Sequence, residues 1–154
     1  MIKIWIDADA CPGVIKEMVY KAAERLKIPL VLVANQFLRV PQSEYISTVC
    51  VEKGFDGADF YIVQNLEENH LVITADVPLA SEVVKKGAIA LDPRGKVFDE
   101  QSISQQLSVR NLMQTLREGR VIGGGGPRPF QATDKKSFAE NFEKQLSILK
   151  KRSA

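Results

Sequence analysis

Cysteine and histidine are both scarce in this sequence. Cys11 and Cys50 lie far apart and outside any Cys-x-x-Cys pattern, and the chain carries one histidine, His70. A disulfide framework and a Cys/His zinc site are therefore excluded, and two reduced thiols are expected. Cys11, near a helix start, is assigned a structural role in packing or capping. His70 opens a strand after a turn and has no His or Cys to share a metal with, so it is expected at the surface. Long apolar runs are also missing, since none approaches the ~18 residues of a membrane span. The start has one Lys ahead of a short apolar stretch and then two Asp, which is neither a signal peptide nor a transit sequence. A cytoplasmic protein with no membrane partner is expected. Aromatic residues are 7% of the chain and interleave little with basic ones, so no base-stacking platform is expected. No internal repeat is visible.

What is present suits an ordinary globular chain. Its 154 residues are 45% hydrophobic and 26% charged, enough for one domain that buries roughly two thirds of its unfolded surface. Charge is uneven. Residues 1–100 carry 11 Lys and Arg against 15 Asp and Glu, a net of −4, and residues 101–154 carry 10 against 4, a net of +6. An acidic front and a basic back suit a protein that holds a cation and grips phosphates beside it, and equally suit a basic solubilising helix.

The apolar pattern predicts strands over Ile2 to Ile6, Leu30 to Ala34, Tyr45 to Val51, His70 to Thr74 and Ala88 to Leu91. Between them, helices are predicted after Pro12, from Asp56 or Asp59 onward with Tyr61, Ile62 and Leu66, and over Pro78 to Lys86. This alternation gives an α/β fold with a largely parallel five-stranded sheet in residues 1–100. Residues 101–154 are a basic helical extension on that core. Ser102 caps a helix to Glu118 with an apolar face of Ile103, Leu107, Val109, Leu112, Met113 and Leu116. A glycine run, 123–126, precedes a last helix over Thr133 to Lys151, with a buried stripe of Phe138, Phe142, Leu146 and Leu149. The run is not a P-loop, because no Lys-Ser/Thr follows it. It reads equally as a flexible linker between the two helices and as a close approach to phosphate, for which Arg110, Arg117, Arg120 and Arg128 flank it as candidate contacts.

Carboxylates gather where such sheets bind ligands, beyond the carboxyl ends of the strands. Asp7 and Asp9 follow strand one, Asp76 follows strand four, Asp92 follows strand five, and Asp56 and Asp59 precede strand four. Right-handed crossovers set strands one and four side by side at the switch point, where Asp7, Asp59 and Asp76 are expected to converge. Each Asp alone is as well explained by a turn or a cap. Together they need a cation to offset their repulsion, and oxygen ligands select Mg²⁺ or Mn²⁺. The chemistry that follows is metal-assisted phosphodiester cleavage, with Asp9 and Asp56 as auxiliary acids and Asn35, Arg94 and Arg128 as substrate contacts.

The stretches IDADACP, Asp56-x-x-Asp59-x-x-Ile62 and Val72-Ile-Thr-Ala-Asp76 resemble the acidic framework of PIN-domain nucleases. That resemblance implies a PIN-like three-layer sandwich, divalent metal on Asp7, Asp59 and Asp76, Thr74 as the hydroxyl that orients the site, and RNA as substrate. Over nearly the whole chain, DADACP, ANQ, TADVPLA, KGAIALDPRG and GGGGPRPF resemble the bacterial YaiI/YqxD family of uncharacterised proteins. The chain departs from the pattern at Ala58-Asp59-Phe60, where a second Asp is expected. Two other readings stay open. In one, the basic tail makes a non-catalytic module that binds RNA or protein. In the other, the Asp-x-Asp opening serves a haloacid-dehalogenase-like phosphatase, with Asp7 as nucleophile, Asp9 as acid/base and Thr74 with Lys85 or Lys86 in support.

Overall fold

The run Lys3–Asp7 forms strand β1, with Ile4 and Ile6 directed to one apolar cluster and Trp5 to the other, as the two-residue period of an extended chain dictates. The structure is a computed structural model that describes residues 1–52, 57–118 and 129–153, with the backbone alone for Ala10, residues 110–118 and Ser153. The expectations for Asp56, Arg120, Arg128 and the glycine run 123–126 lie outside the described residues, as do those for the side chains of Arg110, Leu112, Met113, Leu116 and Arg117.

After β1 a single 3₁₀ turn, Ala8–Ala10, leads into helix α1, Gly13–Leu26. Its C-cap Lys27 takes the left-handed conformation at φ 56° and donates its N–H to Ala23 O, a stop that Pro29 reinforces. Strand β2, Leu30–Ala34, is buried throughout, and β3, Ile46–Cys50, is the half-exposed edge. Helix α2, Gly57–Asn65, strand β4, His70–Ile73, helix α3, Val77–Lys85, and strand β5, Ile89–Leu91, follow. The five strands are parallel in the order β3-β2-β1-β4-β5. Two apolar clusters cover the sheet's faces, one built with α1 and the last helix and the other with α2, α3 and the start of α4. This α/β sandwich, with β1 beside β4, is the expected architecture.

The C-terminal part holds α4, Glu100–Glu118, and α5, Ala132–Ser153. Phe138, Phe142, Leu146 and Leu149 of α5 are all buried in the cluster that covers α1, and the two Phe rings stack at 5.2 Å. Helix α5 is thus part of the core, not a detachable basic arm. Gly95, at φ +96°, sits against it: a Cβ there would fall 2.5 Å from Ser137 C and 2.6 Å from Phe138 N. Beside this contact Arg94 Nη1 bonds Asp134 Oδ2 at 3.1 Å, with the Asp134 side chain almost wholly buried, and Asn141 donates to Gly95 O at 2.6 Å.

Three expectations are corrected. His70 is not at the surface. It is 3% exposed, and its Nδ1 accepts from Trp5 Nε1 at 3.0 Å and from the Glu67 N–H at 3.2 Å. The indole needs a partner once buried, and the imidazole provides it. Ser102 does not begin α4; Asp99 stands before the helix, accepting from the Ser102 N–H at 2.7 Å while Ser102 Oγ accepts from the Asp99 N–H at 3.0 Å. Reciprocal bonding of this kind satisfies two first-turn donors. Val109 is 58% exposed, whereas Ile103 is buried and Leu107 partly so, so the inward face of α4 is narrower than its apolar residues suggest.

Candidate functional site

Register builds the centre of the site. Pairing of Ile6 with Ile73 places the next residues, Asp7 and Thr74, abreast at the carboxyl ends of β1 and β4. The buried Thr74 hydroxyl donates to Asp7 Oδ2 at 3.0 Å and accepts from the Asp76 N–H at 3.0 Å. Asp76 in turn caps α3, its Oδ1 accepting from the Leu79 N–H at 3.0 Å, with Pro78 in the first turn where no N–H is needed. One hydroxyl therefore holds the carboxylate of Asp7 and the backbone of Asp76, residues of different elements. Their hydrogen bonds engage Oδ2 of Asp7 and Oδ1 of Asp76, one oxygen of each carboxylate.

Electrostatics sharpen the picture. Burial pushes the Asp7 carboxyl above its ordinary value, the Thr74 bond opposes this, and the charges of Asp76 and Asp9 add to the rise. Like charges around a half-buried carboxylate favour proton or cation uptake. Asp9, in the 3₁₀ turn, accepts the Asn35 N–H at 3.0 and 3.3 Å, which ties the end of β1 to the end of β2. It does not cap α1, whose N-cap is Pro12. Cys11 is buried, and burial drives its thiol up to about 12, with Asp7 and Asp92 raising it further against Lys16. Such a thiol is a packing group, as expected, and not a nucleophile. Asp92 is also raised by burial, while its Oδ1 accepts the Arg94 N–H at 2.5 Å.

Asp59 lies in the first turn of α2 and lines an open groove with Phe60, Val63, Pro78, Leu79 and Glu82. Among the described residues no group of three or more His, Cys, Asp and Glu side chains is placed to hold a metal ion. Asp7 and Asp76 meet as a pair through Thr74, and Asp59 stands at the neighbouring groove. Arg94 is engaged by Asp134 and packs over the Phe130 ring at 5.8 Å. Lys85 and Lys86 close α3 at the end that feeds β5, where Lys85 is 3.7 Å from Glu82 and Lys86 Nζ donates to Val63 O at 2.6 Å. Both lysines thus lie toward the amino end of β5, whereas Asp7 is at the carboxyl end of the parallel strand β1, and the geometry gives the phosphatase reading no support. No helix among the described residues is long and apolar enough to cross a membrane.

Sequence reasoning missed Asp134, whose partner Arg94 lies 40 residues away, and it missed the groove beside Asp59. The signal for the groove was Phe60, a large apolar residue directly after an acid at a helix start.

A profile of the family described as "Uncharacterized BCR, YaiI/YqxD family" matches residues 5–148. The UPF0178 protein of Shewanella sp. (strain MR-7) is 56% identical over 149 residues, 97% of this chain and 97% of that one. The UPF0178 protein of Hahella chejuensis is 51% identical over 146 residues, 95% and 97% of the two chains. That of Shewanella amazonensis is 48% identical over 150 residues, 97% and 100%. No solved structure matches the chain.

Proposed function

The chain belongs to the YaiI/YqxD family, and from its site we propose that it is a divalent-cation-dependent nuclease acting on RNA. The observation that carries this reading is the Asp7–Thr74–Asp76 arrangement at the switch point of a parallel sheet. The donor set fits Mg²⁺ or Mn²⁺: two carboxylates, each with one oxygen already oriented by the protein, and a local charge that disfavours ionised Asp7 without a cation. Magnesium sites of this class use one or two carboxylates and leave the other positions to water and substrate phosphate. A three-ligand cage is therefore not required. Asp7 and Asp76 would hold the ion, with Asp59 as the acid on the α2 side. When bound, the ion activates water and offsets charge on the leaving oxygen. The protein's own part is orientation: Thr74 fixes the Asp7 carboxylate, and the Asn35 N–H holds Asp9 behind it. RNA is the substrate that the PIN resemblance implies, and the net +6 of residues 101–154 favours a phosphate backbone.

The test is a cleavage gel with Mn²⁺ on single-stranded RNA, duplex RNA and single-stranded DNA, comparing wild type with Asp7→Asn and Asp76→Asn. Cleavage by the wild type, with at least a hundredfold loss in either variant, is expected, the scale of removing a group that acts on the transition state. Wild-type protein that cleaves none of the three contradicts the reading.

A further inference from the structure

The groove between α2 and α3 has a volume of about 290 Å³ and is lined by Asp59, Phe60, Val63, Pro78, Leu79 and Glu82, at the small end of ligand-pocket sizes. Phe60 is 64% exposed, while Ile62 of the same helix is fully buried. The Phe60 side chain therefore stands off the core at the groove. Leu79 forms the buried floor, and its N–H is the one that Asp76 accepts. Leu79 thus links the groove to the carboxylate pair, its side chain lining the one and its backbone N–H holding Asp76 of the other. Asp59 and Glu82 put two carboxylates on the rim, the Glu82 side chain 53% exposed with one oxygen, Oε1, ion-paired to Lys85 at 3.7 Å.

We infer that this groove receives one unpaired nucleobase, guanine by preference, from a single strand whose backbone passes the Asp7–Asp76 pair. The inference rests on the nucleic-acid reading of that pair and adds the recognition element. Phe60 stacks on the base, and every base has a face for this. Val63 and Pro78 give apolar walls. The Glu82 carboxylate accepts hydrogen bonds, and guanine presents two adjacent N–H donors on its Watson–Crick edge. Adenine and cytosine pair one amino group with a ring acceptor, and uracil sets its N–H between two carbonyl oxygens that a carboxylate repels. A base in a duplex has this edge occupied and its faces stacked, so only unpaired strands fit. An acidic rim also disfavours phosphate in the groove itself, which keeps the backbone outside and the base inside.

Fluorescence anisotropy with labelled hexanucleotides tests this on the full chain, with Ca²⁺ in place of Mg²⁺ to permit binding without turnover. Oligo-U carrying one central G, A or C is compared with oligo-U. Expected are tighter binding of the G-containing strand, a roughly tenfold loss in Phe60→Ala, the scale of one stacked base, retention in Phe60→Trp, and loss of the guanine preference alone in Glu82→Gln. Phe60 is exposed, so these variants keep the wild-type circular dichroism. Equal affinity of Phe60→Ala and wild type, no binding by wild type, or a guanine preference that survives Glu82→Gln overturns the inference. So does a wild-type dimer in light scattering that Phe60→Ala dissolves, which makes the ring a subunit contact. Phe60-dependent binding without Mn²⁺ cleavage removes the nuclease reading and leaves the inference standing. Cleavage with unchanged KM and base preference in Phe60→Ala does the reverse.

Discussion

Thr74 and Asp7 are joined across the sheet by a 3.0 Å hydrogen bond that follows directly from the pairing of Ile6 with Ile73. The juxtaposition of these two residues is thus set by strand register, and a one-residue slip of either strand would turn one of them to the opposite face. The same hydroxyl accepts the Asp76 N–H, so the site depends on β1 and β4 being neighbours.

Asp7→Asn is expected to raise Tm in EDTA at neutral pH. The folded-state pKa of Asp7 is raised, chiefly by burial, so the folded chain binds its proton more tightly than the unfolded one. The associated stability is fully present below the unfolded value and is lost as pH rises through the folded value. At neutral pH the charge is a net cost, which Asn removes. The gain over wild type is expected to vanish toward pH 3, where both side chains are neutral. Thermal melts across pH check this, and a lower Tm for the variant at pH 7 contradicts it.

The two thiols should separate cleanly. Cys11 is buried with its thiol pushed up to about 12, and Cys50 is exposed. At pH 8 a thiol reagent is expected to titrate one group in the native chain and two in denaturant. Rapid reaction of two groups in the native chain contradicts the packing role of Cys11.

Among the described residues two ion pairs tie α5 to the rest of the chain, and burial predicts very different weights. Arg25–Glu143, at 2.7 Å, has both side chains more than half exposed, and Arg25→Ala is expected to cost about 0–1 kcal/mol. Removing Arg94 takes the countercharge from the buried Asp134, which keeps its bond from the Gln131 N–H, so Arg94→Ala is expected to cost about 3 kcal/mol. Phe138→Ala, which empties a fully buried site, falls in the range of about 3–5 kcal/mol. Urea unfolding of the three variants gives the order, and equal costs for the two arginines contradict it.

His70 makes stability pH-dependent on the acid side. Burial lowers its pKa, against the opposing charge of Glu67, so the unfolded chain takes up the proton first. Stability is fully present above about pH 6.5, the unfolded value, and falls as pH drops toward the folded value. His70→Gln is expected to flatten that part of the curve while costing about 1–3 kcal/mol at pH 7 through the stranded Trp5 N–H. A wild-type curve already flat between pH 5 and 7 contradicts this role.

Much of the fold was legible because its signals are local. Apolar runs marked all five strands, and the rule of right-handed crossovers put β1 beside β4, which is what makes Asp7 and Asp76 a pair. The α5 stripe was legible from helical spacing alone. The misses are contacts between distant residues. Nothing near His70 announces that Trp5, 65 residues earlier, needs its Nδ1, and nothing near Arg94 announces Asp134. The α4 start was misplaced because Asp99 and Ser102 run in the reverse of the usual capping-box order. Composition also does not say which rings stay exposed, and Phe37 and Phe60 do.

Titration calorimetry of Mn²⁺ into the metal-free chain reports whether Asp7 and Asp76 hold a divalent cation without reference to any substrate. Saturable binding at one site per chain is expected, abolished in Asp7→Asn and Asp76→Asn and weakened in Thr74→Val, which keeps the shape of the side chain but loses the orienting hydroxyl. Wild-type protein that takes up no Mn²⁺, or uptake unchanged in Asp7→Asn, would contradict it.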